Sequence, residues 1–243
     1  MPNTFSGADA YVAKRIADTP SAIDPFPHCV VDDVFPPDLF EAIHENWPGD
    51  DVMIPLPETG RTSEMYKQRH AMLMSDDFLS KLGQDGADFW TSVSLAAMGG
   101  AVVRACWEKF KDVLFPRVEH LGGSIDLSPE LLVISDREHY SIGPHTDTKA
   151  RFISLLYYLS REPEYASYGT GLYVPKDPDM EIRDHTHYRF QDFDLHGRVD
   201  FKPNRLVAFP RSDRSLHGVY PVPIPNCDRR LLIVNIRAPE GAA

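Results

Sequence analysis

The sequence predicts a mainly β fold, a sandwich or barrel preceded by helices. Three observations predict it. The hydrophobic period changes near residue 120, helical before it and strand-like after it. The strand-like half is cut at short intervals by Gly, Pro and Asn. Aromatic residues make up 11% of the 243 residues and prolines number 21, which suits turn-rich β structure better than a helical bundle.

Residues 1–24 read as an N-terminal extension and 25–243 as a single domain, with helical support over about 36–120 and a β core over about 125–238. Pro25 to Val34 (PFPHCVVDDV) is the opening strand. Pro36-Pro37 starts a helix with Leu39, Phe40, Ile43 and Trp47 at helical spacing, and Pro48-Gly49 ends it. Asp50 to about Arg69 is irregular, with Pro55, Pro57 and Gly60, as a lid would be. Ser75 N-caps a short helix ending near Gly83, and a longer one spans about Ala87 to His120. Gly99-Gly100 should interrupt it, because two glycines cost about 2 kcal/mol there relative to Ala. Strands then follow at 131–134, 152–159, 171–174, 200–201, 205–209, 218–222 and 231–236.

A net charge of −11 gives no global basic field to gather phosphates, so nucleic acid is not the expected substrate. Cys29, Cys106 and Cys227 are odd in number and form no CxxC pair, which argues against zinc-thiolate or disulfide frameworks. No apolar signal core opens the chain, and no window approaches about 18 apolar residues. A soluble, cytoplasmic protein without membrane attachment is expected. Its oligomeric state is not legible.

The sharpest local feature is Pro144-His145-Thr146-Asp147, just before FISLLYYL. In extended chain, residues two apart point to one side, so His145 and Asp147 can share a metal. His217 follows about seventy residues later in RSDRSLHGVYPV. Two His and one carboxylate form the facial triad of non-haem Fe(II) oxygenases, and no helical HExxH pair points to a zinc protease instead. The last strand opens with Arg229-Arg230, and a guanidinium there could bind the distal carboxylate of a dicarboxylate cosubstrate. Alternation favours Arg229, which shares a face with Leu231, Ile233, Asn235 and Arg237, while Arg230 shares one with Leu232, Val234 and Ile236. Lys149 and Arg151 can bind an anionic substrate or pair with surface acids. No role is read for His139, His185, His187 or His196.

The ordered run YSIGPHTDTKARFISLLYYLS, GTGLYVP, RLVAFPRSDRSLHGVYPV and RRLLIVNI resembles the 2-oxoglutarate/Fe(II) oxygenase superfamily, closest in motif order to its prolyl-hydroxylase-like branch. PFPHCVVDDVFPPDLFEAI is similar to the entry strand and helix there. The resemblance covers about 130–237. It implies a double-stranded β-helix (jelly-roll) core with Fe(II) held by His145, Asp147 and His217. It also implies 2-oxoglutarate as cosubstrate, O₂, and ascorbate as an optional reductant. Tyr158 then occupies the place of a residue that often hydrogen-bonds the distal carboxylate. Asp147 favours hydroxylation over halogenation, since halogenating members lack the carboxylate. The implied substrate is a small molecule or peptide. Two alternatives stand beside it: a cupin-like metal-binding domain without redox activity, and a nucleic-acid demethylase of the same superfamily.

Overall fold

The computed structural model describes residues 5–62, 66–184 and 186–239. Its larger antiparallel sheet runs in the order β1 (Cys29–Val31), β9 (Arg205–Pro210), β6 (Arg151–Tyr158), β11 (Arg229–Arg237), β4 (Ser128–Asp136), β3 (Arg69–Leu73) and β2 (Ile54–Pro55). The smaller sheet runs β5 (Ile142–His145), β10 (His217–Val219), β7 (Thr170–Pro175) and β8 (Phe193–Val199). Five helices accompany them among the described residues: α1 (Ala8–Asp18), α2 (Pro37–Glu45), α3 (Asp76–Leu79), α4 (Gly83–Met98) and α5 (Gly100–His120).

The larger sheet is buried on both faces, which explains its near-continuous apolar strands. Along β6, Ile153, Leu155 and Tyr157 join the helices in one core cluster, while Tyr158 and Leu156 belong to a second cluster between the sheets. In β11, Leu232, Val234 and Ile236 take the helix side, and Leu231 and Ile233 the inner side. The inner face carries the site, and the outer face anchors it. The two-sheet jelly roll expected from the sequence is the observed architecture.

The N-terminal extension is integral to the outer layer. Val12 and Ile16 of α1 are fully buried, and the helix lies against α5 and α4. The predicted break at Gly99 is present: α4 ends at Met98, α5 starts at Gly100, and a Cβ on Gly99 would meet the Leu95 carbonyl oxygen at 2.5 Å. Against the expectation, one window within 76–120 is apolar enough by composition to cross a membrane, at a mean hydropathy of 1.2. Gly99 divides that stretch, and Trp90, Val93, Val102 and Cys106 from its two halves are buried in the core.

Four strands, β2, β3, β5 and β8, lie outside the strand segments read from the sequence. The segment 69–73 is a strand rather than the end of an irregular stretch. The strand expected at 200–201 lies at Phe193–Val199, where a sheet-edge position leaves most side chains exposed and removes the apolar signal. Phe201 instead fills the inner core.

Candidate active site

His145 and His217 are direct cross-strand partners, because β10 lies antiparallel beside β5 with His217 opposite His145. Their ring centroids are 4.3 Å apart. Each ring lies close to the carbonyl two residues back: His145 Nδ1 to Gly143 O at 2.9 Å and His217 Nδ1 to Ser215 O at 3.0 Å. With Nδ1–H donating there, both Nε2 lone pairs are left for a metal. His217 Nε2 lies 4.0 Å from an Asp147 carboxylate oxygen, and one donor atom from each of the three residues falls within 4.8 Å of the others.

Asp147 is held on both oxygens. Arg151 donates to Oδ1 and the Ser154 hydroxyl to Oδ2, each at 2.5 Å, and Arg211 Nε donates to its backbone carbonyl at 3.1 Å. Burial alone would raise the Asp147 pKa, but the Arg151 charge and the two imidazoles outweigh it and hold the carboxyl well below its usual range. Burial and the neighbouring His217 ring keep His145 neutral, far below the ordinary imidazole value. A neutral imidazole beside a carboxylate is the protonation state a divalent cation needs.

The triad lines a cavity of about 1180 Å³ between the sheets. Arg229, Leu231, Ile233, Asn235 and Arg237 all line it, so the face of β11 chosen by alternation is the cavity face. Arg230 turns away, with its guanidinium 5.2 Å from the Trp47 ring centre and its Nε on Asp228. At the deep end, Asp136 is fully buried opposite Arg229 and Arg69 in the sheet register. It accepts Arg69 Nε at 2.6 Å and Nη2 at 3.0 Å, and also Arg229 Nη1. Burial alone would lower the Arg69 pKa, and the charge and hydrogen bond of Asp136, together with Tyr140 and Tyr66, outweigh it and raise the pKa.

Two arginines on one carboxylate leave one positive charge in surplus. Arg229 Nε and the Tyr140 hydroxyl, both on cavity-lining residues, have no hydrogen-bond partner. An incoming carboxylate would satisfy both groups and balance the charge. The donor set therefore fits a divalent metal at the triad and a dicarboxylate extending from it.

Tyr158 does not join the cavity wall. Its ring stacks on Phe201 at 4.2 Å, and its hydroxyl hydrogen-bonds the Thr170 hydroxyl and accepts the Thr170 N–H at 3.0 Å. Thr170 lines the cavity instead. Sequence reasoning also passed over His187, whose ring lies 4.7 Å from His145 and whose Nδ1 meets the Tyr66 hydroxyl. Gly143 permits this arrangement. The Tyr188 carbonyl comes so near that a Cβ on residue 143 would stand 2.1 Å from it, and Tyr188 N donates to Pro144 O at 2.8 Å. His185 lies outside the described residues; His139 and His196 sit at the surface beside Glu138 and Asp24.

Residues 131–237 match the family model of the 2OG-Fe(II) oxygenase superfamily. No curated protein sequence is significantly similar to the chain. A prolyl 4-hydroxylase from Phytophthora capsici superposes with a TM-score of 0.55 at 15% identity, over 100% of this chain and 68% of its own. A prolyl hydroxylase from Trichoplax adhaerens, solved with a hypoxia inducible factor peptide, gives 0.56 at 11% identity over 94% of this chain and 88% of its own. A Pseudomonas putida prolyl-4-hydroxylase gives 0.51 at 18% identity over 95% of this chain and 98% of its own. At these identities the likeness establishes the fold.

Proposed function

We propose that this chain, whose residues 131–237 match the family model of the 2OG-Fe(II) oxygenase superfamily, is an Fe(II)- and 2-oxoglutarate-dependent dioxygenase that hydroxylates a C–H bond of a small molecule or peptide. One observation carries the reading. The donor atoms of His145, Asp147 and His217 converge on the wall of a cavity whose deep end holds a surplus buried cation. A metal-binding domain without 2-oxoglutarate chemistry would have no use for that cation.

When bound, iron supplies the redox chemistry that couples decarboxylation of 2-oxoglutarate by O₂, yielding succinate and CO₂, to substrate oxidation. The protein's own groups orient and insulate. His145 and His217 present Nε2, while Arg151 and Ser154 fix the plane of the Asp147 carboxylate. Arg229 and Tyr140 donate to the distal carboxylate of the cosubstrate, and Leu231 and Ile233 make a dry wall between the two ends. Tyr66 and His187 close over the triad from separate segments. An intact Asp147 favours delivery of hydroxyl over halide.

The test is succinate formation from 2-oxoglutarate with Fe(II), ascorbate and O₂, across a panel of small molecules and peptides scanned by mass spectrometry for a gain of one oxygen. Succinate should form in wild type and not in His217→Ala. A protein that binds metal yet forms no succinate with any panel member would support the binding-domain reading instead.

A further inference from the structure

Between its two charged ends, the cavity face of β11 carries Leu231, Ile233 and Asn235. Leu231 and Ile233 belong to the apolar cluster between the sheets, and Asn235 is the neutral polar side chain of that face. Register sets it in a row across the larger sheet, with Glu130 on one side and Ser154 on the other. Phe209 follows Ser154 in that row, and its ring centre lies 4.6 Å from that of His217. The Ser154 hydroxyl donates to Asp147 Oδ2 at 2.5 Å. Asn235 is therefore one strand spacing, about 4.8 Å, from a residue that touches the triad carboxylate.

Glu130 fixes which way the Asn235 amide faces. Its carboxylate takes a hydrogen bond from the Asn235 side chain, and only the amide nitrogen can donate one. Burial would raise the Glu130 pKa, but the bond and charge of Arg61, the charge of Arg237 and this bond from Asn235 bring it below its usual value. Oδ1 is then the remaining polar atom of a side chain 1% exposed, and it has no hydrogen-bond partner. Ser154 cannot supply one, because its single proton is engaged by Asp147. A buried acceptor without a donor destabilises the fold in a way that a leucine at the same position would not. Asn235 lines the same cavity as the triad, so an incoming group can supply the donor.

The cosubstrate is not that group. An ionised dicarboxylate offers acceptors only, and one reaching from the triad to Arg229 runs along Leu231 and Ile233, away from Asn235.

We propose that Asn235 Oδ1 accepts a hydrogen bond from the substrate and so selects which C–H bond faces the metal. The substrate is thereby a molecule with an N–H or O–H donor close to the carbon that is oxidised. This inference rests on the oxygenase reading, because the metal is what makes the space beside Asn235 a substrate position.

The experiment uses the full chain loaded with Mn(II) and saturating 2-oxoglutarate. The probes are N-methylacetamide, ethanol and N,N-dimethylacetamide, of which the last keeps the amide carbonyl but has no donor. Paramagnetic relaxation of their methyl protons reports a fragment bound near the metal. Saturable enhancement is expected from the donor probes, and the tighter of the two tells an amide from a hydroxyl substrate. N,N-dimethylacetamide should bind at least about fivefold more weakly, as expected for loss of a hydrogen bond. Asn235→Leu should weaken the donor probes by a similar factor and leave N,N-dimethylacetamide unchanged. Asn235→Asp keeps an acceptor and should retain donor binding.

No saturable enhancement, equal enhancement by donor and non-donor probes, or donor binding unchanged in Asn235→Leu overturns the proposal. Equal losses in Asn235→Leu and Asn235→Asp also overturn it, and would leave Asn235 as a structural partner of Glu130. Water-proton relaxation and the ¹³C signal of labelled 2-oxoglutarate report metal and cosubstrate binding in the same samples. Their failure in wild type would count against the oxygenase reading, while saturation-transfer NMR of the same probes on the metal-free chain still decides whether Asn235 binds a donor.

Discussion

Each end of β11 holds a β4 carboxylate among arginines, in different surroundings. At the deep end, Asp136 and Arg229 have side chains 0% and 1% exposed; at the mouth, Arg61, Glu130 and Arg237 are 28%, 28% and 27% exposed. A unit-charge pair at 4 Å interacts by about 4 kcal/mol at an effective dielectric of about 20, but about 1 kcal/mol in bulk water. Depth therefore decides how strongly such an arrangement acts. The buried end suits tight binding of an incoming carboxylate, and at the open end solvent weakens the same kind of contact.

The comparison can be broken most severely at its reference point. His217→Ala should remove metal-dependent turnover by at least about 1000-fold, near 4 kcal/mol in barrier, with the fold retained by circular dichroism. Next comes stability. Asp136→Ala leaves two buried guanidinium groups on no carboxylate and should cost at least about 3–5 kcal/mol in urea unfolding. Glu130→Ala should cost within about 1 kcal/mol, since its partners keep access to water. Equal losses would refute the assignment of depth.

Smaller effects separate the ends by ligand. Arg229→Gln should raise the 2-oxoglutarate KM by about 10- to 100-fold, the worth of a charged hydrogen bond, whereas Arg237→Gln should move it less than about twofold. Arg230→Gln should also leave it unchanged, because Arg230 faces Trp47 and Asp228. The smallest effect is ionic. Between 0.05 and 0.5 M salt, 2-oxoglutarate affinity should change less than about twofold, because screening acts on exposed charge and Arg229 is buried.

Much of the site is legible in the sequence because its parts are local or periodic. His145-x-Asp147 is a two-residue spacing in extended chain, and that Arg229 rather than Arg230 faces the cavity follows from alternation along one strand. Partners that depend on register are not legible. Nothing in the order of residues says that Asp136 lies opposite both Arg229 and Arg69, or that Glu130 meets Arg61 sixty-nine positions away. Tyr158 shows a related limit. Its place in the strand suggested a cosubstrate ligand, yet its hydroxyl is taken by Thr170 on the facing sheet. His187 was hidden because its approach to His145 depends on the close Gly143–Tyr188 contact. Edge strand β8 was misplaced because a solvent-facing strand has no apolar rhythm to read.

The burial of Arg229 also has a kinetic consequence. The deep end at Arg229 is closed to solvent and the end at Arg237 is open to it. A diacid that binds at Arg229 should therefore enter past Arg61 and Arg237, and its product should leave by the same way. Exchange should then be slow for the affinity, since one passage serves both directions.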